Sequence, residues 1–185
     1  MGFGWEGDSI RLVPLDGERH LDNAVAWMND EKVTHNLLHG DFPMTRLAEL
    51  QWFEKMSAPN DTDVVFAIEK LDGEHIGFTG MHAINWHHRL ATTGTVIGRV
   101  DLWGQGFGKE SVRVRSRYAF EVLGLETLLS TVYEGNTASL RMLLGAGFKE
   151  IGRVPALYWK RGRRVDVTQV YCKREDWVAA GGNPQ

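Results

Sequence analysis

The 185-residue sequence contains little cysteine, little excess charge of either sign and no long hydrophobic run. Its single cysteine, Cys172, excludes an internal disulfide. No apolar stretch approaches the roughly 18 residues of a membrane span or forms the centre of a secretory signal, so we expect a cytoplasmic protein. With 24 acidic and 21 basic side chains, the net charge of -3 gives no reason to expect binding to nucleic acid or to an anionic membrane. The partner is therefore expected to be a small molecule or another protein.

The chain also lacks internal repeats, low-complexity segments and linkers. Hydrophobic residues make up 43% of it, which is ordinary for a globular protein. We therefore predict a single domain over residues 1–185, with an ordered core over about residues 9–178 and a tail at residues 179–185.

Hydrophobic spacing gives the order of elements in the first half of the chain. Residues 9–15 alternate apolar and polar side chains, as in a half-buried strand. Residues 17–29 and 46–56 have helical spacing, the second with Thr45 as its cap. From residue 63 the pattern becomes that of strands, with a hairpin turn at Asp72-Gly73. The middle of the chain is thus predicted to be an antiparallel meander.

The second half alternates helices with strands. Residues 109–123 are predicted to form a helix that ends at Gly124. "LETLLSTVY" is typical of a buried strand and "NTASLRMLLGAGF" of a short helix. "ALYWKRGRRVDVTQVYC" predicts a final hairpin that turns at Arg161-Gly162. The predicted order is β-α-α-β-β-β-α-β-α-β-β.

A run of glycines stands where the meander gives way to the helix. "DLWGQGFGKES" has Gly104, Gly106 and Gly108 directly before a predicted helix start. Backbone N–H groups at a helix start are unpaired and carry partial positive charge, and glycines let a phosphate approach them closely. Lys109 adds a full charge. The run therefore predicts a diphosphate site, although glycines can also serve only to make a strand-to-helix turn.

Two classes of diphosphate cofactor compete at this point. A dinucleotide-binding oxidoreductase would have its glycines after the first strand of a parallel sheet, and Glu134 could imitate its ribose-binding acid. Here the glycines follow an antiparallel meander, so the element order argues against NAD(P) without excluding it.

Two segments resemble signatures of the GCN5-related N-acetyltransferase (GNAT) family. "WGQGFGKES" resembles the family's pyrophosphate motif, Gln/Arg-x-x-Gly-x-Gly/Ala, and "VYEGNTASLRMLLGAGF" resembles its Asn-x-x-Ser…Gly-Phe signature. The strand end "PL", then "AWMND", "PMT" and "GRRVDVTQVY" are most similar to the branch of ribosomal-protein N-terminal (RimJ/RimL-like) and spermidine acetyltransferases. One departure is Trp103, where the strict motif has Gln or Arg.

The resemblance implies a fold, a co-substrate and a set of binding residues. The fold would be the α/β (α+β) acyl-CoA N-acyltransferase fold, with a mixed, mostly antiparallel central sheet flanked by helices. The co-substrate would be acetyl-CoA, with no metal. Asn136 would contact the cofactor, cap a helix, or do both. Main-chain groups of Val96, Ile97 and Gly98 would pair with the pantetheine arm, and the amides of Gln105, Gly106, Phe107, Gly108 and Lys109 would wrap the diphosphate.

The resemblance also implies direct attack of a neutral amine on the thioester in a ternary complex. Ser139 is the candidate acid for the departing thiolate, because Leu143 stands where many relatives have a tyrosine. No base stands out: Glu110 is expected to face solvent, and Asp166 could accept a hydrogen bond from the amine or only hold the hairpin. A metal cluster of His82, His87 and His88 is a weaker explanation than an ordinary hairpin tip.

The acceptor is less well defined by the sequence. The segments "VTHNLLHGDFPMT", "NWHHRLATT" and "LYWKRGRR" are expected to line the amine side, and they carry mainly basic charge. That favours a peptide N-terminus, an amino acid or an amino sugar over a polyamine. A homodimer is left open, as are two alternative functions: an NAD(P)-binding oxidoreductase and a CoA-binding sensor without catalysis.

Overall fold

A computed structural model describes residues 5–38 and 40–179 of the chain. The strands are β1 (Ile10–Pro14), β2 (Val64–Lys70), β3 (His75–Asn85), β4 (Leu90–Ile97), β5 (Thr127–Tyr133), β6 (Lys149–Lys160) and β7 (Arg163–Lys173). The helices are α1 (Gly17–Met28), α2 (Glu31–Thr34), α3 (Arg46–Ser57), α4 (Phe107–Arg117), α5 (Thr137–Leu144) and α6 (Arg174–Ala179).

The strands form one sheet in the order β1-β2-β3-β4-β5-β7-β6. Neighbouring strands are antiparallel except β4 and β5, which run parallel because the crossover through α4 returns the chain to the same end of the sheet. The mixed, mostly antiparallel sheet predicted from the sequence is therefore confirmed.

Helices cover both faces of the sheet and enclose two hydrophobic clusters. In β2, Phe66 and Ile68 face the cluster that holds α4, α5 and α6, while Ala67 faces the cluster that holds α1, α2 and α3. Alternate strand residues point to opposite faces, so one strand serves both clusters. The glycine loop before α4 therefore lies at the edge of the layer that contains α4, α5 and α6.

Helix boundaries follow the expected capping residues. Asp16 caps α1 by accepting from the amides of Glu18 and Arg19, and Thr45 caps α3 as predicted. The helix predicted over residues 109–123 starts earlier, at Phe107, and after Arg117 it continues as a π-helical turn over Tyr118–Val122.

Both predicted hairpin turns are present. Gly73 has φ +93°, and Arg161 and Gly162 have φ +47° and +82°, the left-handed pair that a tight two-residue hairpin requires.

Three short elements were not predicted: α2, a 3₁₀ turn over Val100–Leu102, and α6. In α6, Trp177 is buried against the ring of Phe120, at a centroid distance of 5.6 Å. Ala179, predicted as tail, ends this helix, and residues 180–185 lie outside the described residues. Across the described ranges, no helix is long and apolar enough to cross a membrane.

Candidate active site

A cleft opens between β4 and β5 because the two strands pair over only three residues each. Pairing runs from Leu90–Thr127 to Thr92–Leu129 and then stops, although β4 continues to Ile97. At this fork the Thr93 hydroxyl donates to the Leu129 carbonyl (3.0 Å), and the Ser130 hydroxyl donates to the Thr93 carbonyl (3.2 Å). These side-chain bonds use the Leu129 and Thr93 carbonyls at the point where the backbone pairing of β4 with β5 ends.

The register of β4 decides which residues offer polar groups to this cleft. The Gly98 amide donates to the Ile76 carbonyl of β3 (2.9 Å). Because antiparallel ladders alternate, the polar groups of Gly98 and Val96 point toward β3, and those of Thr95 and Ile97 point into the cleft. Of the three residues expected to pair with the pantetheine arm, Ile97 offers its main-chain groups to the cleft, while Val96 and Gly98 use theirs toward β3. Thr95, which the sequence analysis did not name, also offers its main-chain groups to the cleft.

Gly98 has a packing role instead. A Cβ atom at this position would overlap the ring of Trp27, so the glycine lets α1 lie directly on the sheet. The side chains of Val96 and Ile97 join the two hydrophobic clusters on opposite faces, as expected for core residues.

The glycine run forms a loop that ends at an open helix start. Gly104 and Gly106 have φ values of +79° and +96°, which favour glycine. Gly106 is the N-cap of α4 and provides no side-chain cap. The first helical bond runs from the Glu110 amide to the Gly106 carbonyl (3.0 Å), which leaves the amides of residues 107–109 without intrahelical partners.

Two residues of the run have local partners. The Gln105 amide donates to the Leu102 carbonyl (3.4 Å), and the Gln105 side chain folds back onto the Asp101 carbonyl (2.9 Å). A Cβ on Gly108 would lie 2.7 Å from Met142 Sδ, so this glycine allows α4 and α5 to meet. The amides open to a diphosphate are consequently those of Gly106, Phe107, Gly108 and Lys109.

Asn136 and Ser139 lie across the cleft from this loop, at the start of α5. Asn136 is the N-cap, and its Oδ1 accepts from the Ser139 amide (3.1 Å). Ser139 lies one turn before Met142 on the same helix face, and Met142 packs against Gly108. Within the described part of the chain, no hydrogen bond is made by the Ser139 hydroxyl, so it is free to act as a donor.

The sequence profile of the acetyltransferase (GNAT) domain family matches residues 9–149. The chain belongs to the GNAT acetyltransferase family.

Relatives and solved structures agree with that assignment. The chain is 36% identical over 107 residues to the uncharacterized N-acetyltransferase YoaA of Bacillus subtilis, covering 57% of this chain and 59% of that protein. It is 22% identical over 174 residues to the SPbeta prophage-derived uncharacterized N-acetyltransferase YokL of the same organism, covering 94% of both. The crystal structure of spermidine N-acetyltransferase from Vibrio cholerae in complex with CoA and spermine superposes with a TM-score of 0.85 at 19% identity, over 93% of this chain and 99% of that one.

These similarities confirm the expected GNAT fold. The relatives named here are spermidine N-acetyltransferases and uncharacterized N-acetyltransferases, so placement in the RimJ/RimL-like branch stays a prediction, as does a homodimer. The shared fold at 19% identity carries no assignment of the acceptor.

Asp166 sits near the GNAT cleft but is already engaged. One of its oxygens accepts from the Ala156 amide (2.8 Å) and the other from Arg153 Nε (2.7 Å). These two bonds lower the pKa of Asp166 below its usual value. They hold an irregular stretch of β6 where Ala156 has φ +49°. Of the two expected roles for Asp166, its contacts support holding the hairpin.

Two other candidates from the sequence, and the single cysteine, have surroundings that do not favour a role in catalysis. Glu110 does not simply face solvent, because it is half-buried and its Oε1 accepts from the Ser9 amide (2.7 Å). His87 and His88 are exposed at the turn between β3 and β4, and the described residues include no cluster of three His, Cys, Asp or Glu that could hold a metal. Burial raises the pKa of Cys172 to about 12, so its thiol is unsuited to nucleophilic attack.

The segments expected to line the amine side include the segment after α2 and the β6–β7 turn, which contact each other. Lys160 is buried, and its Nζ reaches the Leu37 carbonyl (2.5 Å) and Asp41 (2.9 Å). The hydrogen bond from Lys160 lowers the pKa of Asp41. Arg161 pairs with Glu31 (2.9 Å), and these two residues and Asp41 line an open pocket of about 460 Å³.

Tyr133 connects this pocket to the end of β5. Its ring meets that of Tyr158 edge to face at 5.8 Å, and Lys160 Nζ lies 5.8 Å from the centroid of the Tyr133 ring. Tyr133 also lines a second, smaller pocket of about 140 Å³ with Asn136 and Asp166. Sequence reasoning named Tyr158 but missed Tyr133 and Lys160, whose only local signals are an aromatic residue at a strand end and a lysine just before a turn.

Proposed function

We propose that this GNAT protein transfers the acetyl group of acetyl-CoA directly to a primary amine in a ternary complex. The observation that carries the proposal is the junction of two features. A cleft edged by the free amides of Thr95 and Ile97 leads to the open N-terminus of α4. The linear pantetheine arm of CoA needs a strand edge, and its diphosphate needs unpaired amides, so CoA requires both features next to each other.

Each end of the cofactor has matching groups in this chain. The amides of Phe107, Gly108 and Lys109 would hold the diphosphate, and the Lys109 ammonium and the helix dipole would offset its charge. The pantetheine amides would pair with Thr95 and Ile97 in the manner of an added strand. Asn136 would contact the cofactor from the opposite side while it caps α5.

The chemical step needs little from the protein beyond placement and one proton. A neutral amine attacks the thioester carbonyl, the C–N bond forms, and the C–S bond breaks. We assign Ser139 as the donor of the proton to the leaving sulfur, because its hydroxyl is unpaired and shares a helix face with the residue that touches the glycine loop. Water in the open acceptor pocket carries the ammonium proton back to Ser139 and restores its hydroxyl, and Asp166 shapes the wall beside Asn136.

The pairing of the pocket carboxylates supports an acceptor that is not a polyamine. Four carboxylates line the two pockets, and each is matched by a cation of this chain. The pairs are Glu31 with Arg161, Asp41 with Lys160 and Arg161, Glu134 with Arg153 and Arg163, and Asp166 with Arg153. A polyamine would need uncompensated carboxylates, so we propose a peptide N-terminus, an amino acid or an amino sugar.

A ligand panel tests the cofactor assignment. Thermal unfolding is measured with CoA, acetyl-CoA, NADH and NADPH, each in excess. A ligand present at about 100 times its Kd adds about 2.7 kcal/mol to the free energy of unfolding. We expect stabilisation by CoA and acetyl-CoA. Stabilisation by a dinucleotide alone would show that the cleft binds another cofactor.

An acceptor panel tests the amine class. Release of free thiol from acetyl-CoA is followed with dipeptides, amino acids, amino sugars, spermidine and spermine. The proposal expects turnover with one of the first three classes. Turnover confined to the two polyamines would reverse the proposed preference and leave the acetyl transfer itself in place.

A further inference from the structure

Arg115 is the largest fully buried side chain of the described residues, and it lies in α4. All of its hydrogen bonds leave from Nη1: to Thr95 Oγ1 (2.8 Å), to Thr79 Oγ1 (3.1 Å) and to the Gly94 carbonyl (3.1 Å). Within residues 5–38 and 40–179, no carboxylate pairs with it, and its Nε and Nη2 have no partner.

Burying a guanidinium without a carboxylate costs free energy that an apolar side chain in the same place would not. Burial lowers the pKa of Arg115 to about 9, so the side chain still carries its charge at neutral pH. Replacing such a charge by an apolar side chain of similar volume is often neutral or stabilising. The neighbouring core positions of α4 are Val112 and Val114, so packing alone does not require an arginine here.

The bonds of Arg115 converge on the fork of the cleft. Gly94 and Thr95 lie two and three residues beyond Thr92, the last β4 residue that pairs with β5. The hydroxyls of Thr79 and Thr95 bond each other (2.8 Å), and Thr79 Oγ1 also donates to the Gly94 carbonyl (3.1 Å). Arg115 and the two threonines thus form one network that ties β3, β4 and α4 together at the base of the cleft.

The same helix also carries the diphosphate loop. Phe107 opens α4, and Arg115 lies about two turns further along it. A contact from Arg115 to β4 therefore fixes the distance between the loop that would hold the diphosphate and the strand edge that would hold the pantetheine arm.

We propose that Arg115 is a positioning residue for acetyl-CoA. Through Gly94 and Thr95, it holds β4 in the register that turns the amides of Thr95 and Ile97 into the cleft. This inference rests on the proposed function, because it concerns the cofactor site that the function requires.

Calorimetric titration of CoA into Arg115→Met tests the role. Methionine keeps the length of the side chain but removes its donors and charge. We expect the Kd for CoA to rise about tenfold while the melting temperature stays equal or increases, because loss of a charged hydrogen-bond network weakens binding by that order. Arg117→Met is the matched control, since Arg117 lies on the same helix and donates to the Glu6 carbonyl (2.7 Å), away from the cleft. The control should bind CoA as the parent does.

The variant Thr95→Val tests the same role independently, because it removes the acceptor of the shortest Arg115 hydrogen bond. We expect a similar loss of CoA affinity, and the double variant with Arg115→Met should lose little more than either single one. The proposal is overturned if Arg115→Met binds CoA within about twofold of the parent, or if the two losses add in full. If Arg115→Met does not fold, unchanged binding in Thr95→Val overturns it. A parent protein that fails to bind CoA at all would instead remove the proposed function.

Discussion

Trp103 departs from the family motif and makes a specific hydrogen bond at its position. It stands where the strict pyrophosphate motif has Gln or Arg, and its indole Nε1 donates to the Ile97 carbonyl (2.8 Å). The Ile97 carbonyl faces the cleft, so the indole takes up one acceptor that the sheet leaves open. The Ile97 amide and the main chain of Thr95 remain for a ligand.

Replacement of Ser139 tests its assignment as the acid. Ser139→Ala should lower kcat about 100-fold with the Kd for CoA within about twofold of the parent, because a general acid acts in the transition state and not in cofactor binding. Steady-state kinetics and calorimetry measure the two quantities. Thr137→Ala, in the same helical turn, is the control and should keep kcat. An unchanged kcat in Ser139→Ala would remove Ser139 from the mechanism.

A branched residue at Gly106 should weaken cofactor binding. Gly106 has φ +96° and caps α4, so Gly106→Val both strains the loop and places a side chain where the diphosphate would lie. We expect the Kd for CoA to rise more than about tenfold. Gly124→Val, at φ +67° on the far end of the helical segment, has comparable strain and should lose stability while it still binds CoA. Equal CoA affinity in both variants would contradict a diphosphate site at this loop.

Sequence patterns led to the candidate site residues that belong to short motifs and did not lead to those whose placement depends on distant strands. Gly106, Asn136 and Ser139 could be found because each stands at a fixed offset from a helix start. Thr95 could not, because its amide faces the cleft only through the β3–β4 register. Arg115 did leave a signal: helical spacing places it on the apolar face of α4 with Val112 and Ala119, where a charged residue is unusual.

At the scale of elements, long periodic segments were predicted well and irregular ones were not. Both α1 and α3 were predicted and each has a side-chain cap, but only α1 has a clear apolar face, since in α3 Phe53 is buried while Leu47 and Leu50 are exposed. The irregular course of β6 around Ala156 was not predicted, because Asp166 and Arg153, which stabilise it, act from the neighbouring strand and from within β6. Neither α2 nor α6 is long enough to leave a clear pattern.

The junction between α1 and β3 predicts how stability depends on pH. His75 opens β3 and packs against His20 (ring centroids 4.5 Å) and Trp27 (4.7 Å) of α1. Burial lowers the pKa of His75 from 6.5 to about 4, with a smaller effect from His20. Glu69 and Arg19 are the charged groups nearest to it in β2 and α1.

The unfolded chain therefore takes up a proton at His75 before the folded protein does. The contribution of His75 to stability is intact above about pH 6.5 and is lost progressively as the pH falls from there to about 4, by up to about 3 kcal/mol. Urea unfolding at several pH values measures this loss. His75→Gln should be less stable near neutral pH but should show a shallower decline over that window. An equal decline in both proteins would show that other groups cause it.

At the scale of the whole molecule, the sheet consists of two parts joined at the fork. Strands β1 to β4 form one part and β5 to β7 the other, and the backbone ladder between them has three residue pairs. The predicted antiparallel meander corresponds to the first part. The predicted order of elements also argued against a dinucleotide fold, and the glycine run indeed follows the fourth strand and not the first strand of a parallel sheet.

Because the two parts of the sheet separate at the fork, acetyl-CoA bound along β4 could also lie beside α5, which carries the residue proposed as the acid. A pantetheine arm in the cleft would contact β4 on one side and α5 on the other, so that the thioester would lie between Thr95 and Ser139. The acceptor pocket near Tyr133 and Asp41 opens close to the same end of β5. The amine could thus reach the thioester without passing through the core.

Formation of an acetylated amine coupled to release of free CoA thiol tests the central claim most directly. Both products are quantified, by mass spectrometry and by a thiol reagent, for the parent, Ser139→Ala and Gly106→Val, with the full amine panel. We predict equal amounts of the two products for the parent with at least one primary amine, and losses of at least about 100-fold and tenfold for the two variants. Binding of acetyl-CoA without any acetylated amine from the panel would contradict catalysis and leave a CoA-binding sensor.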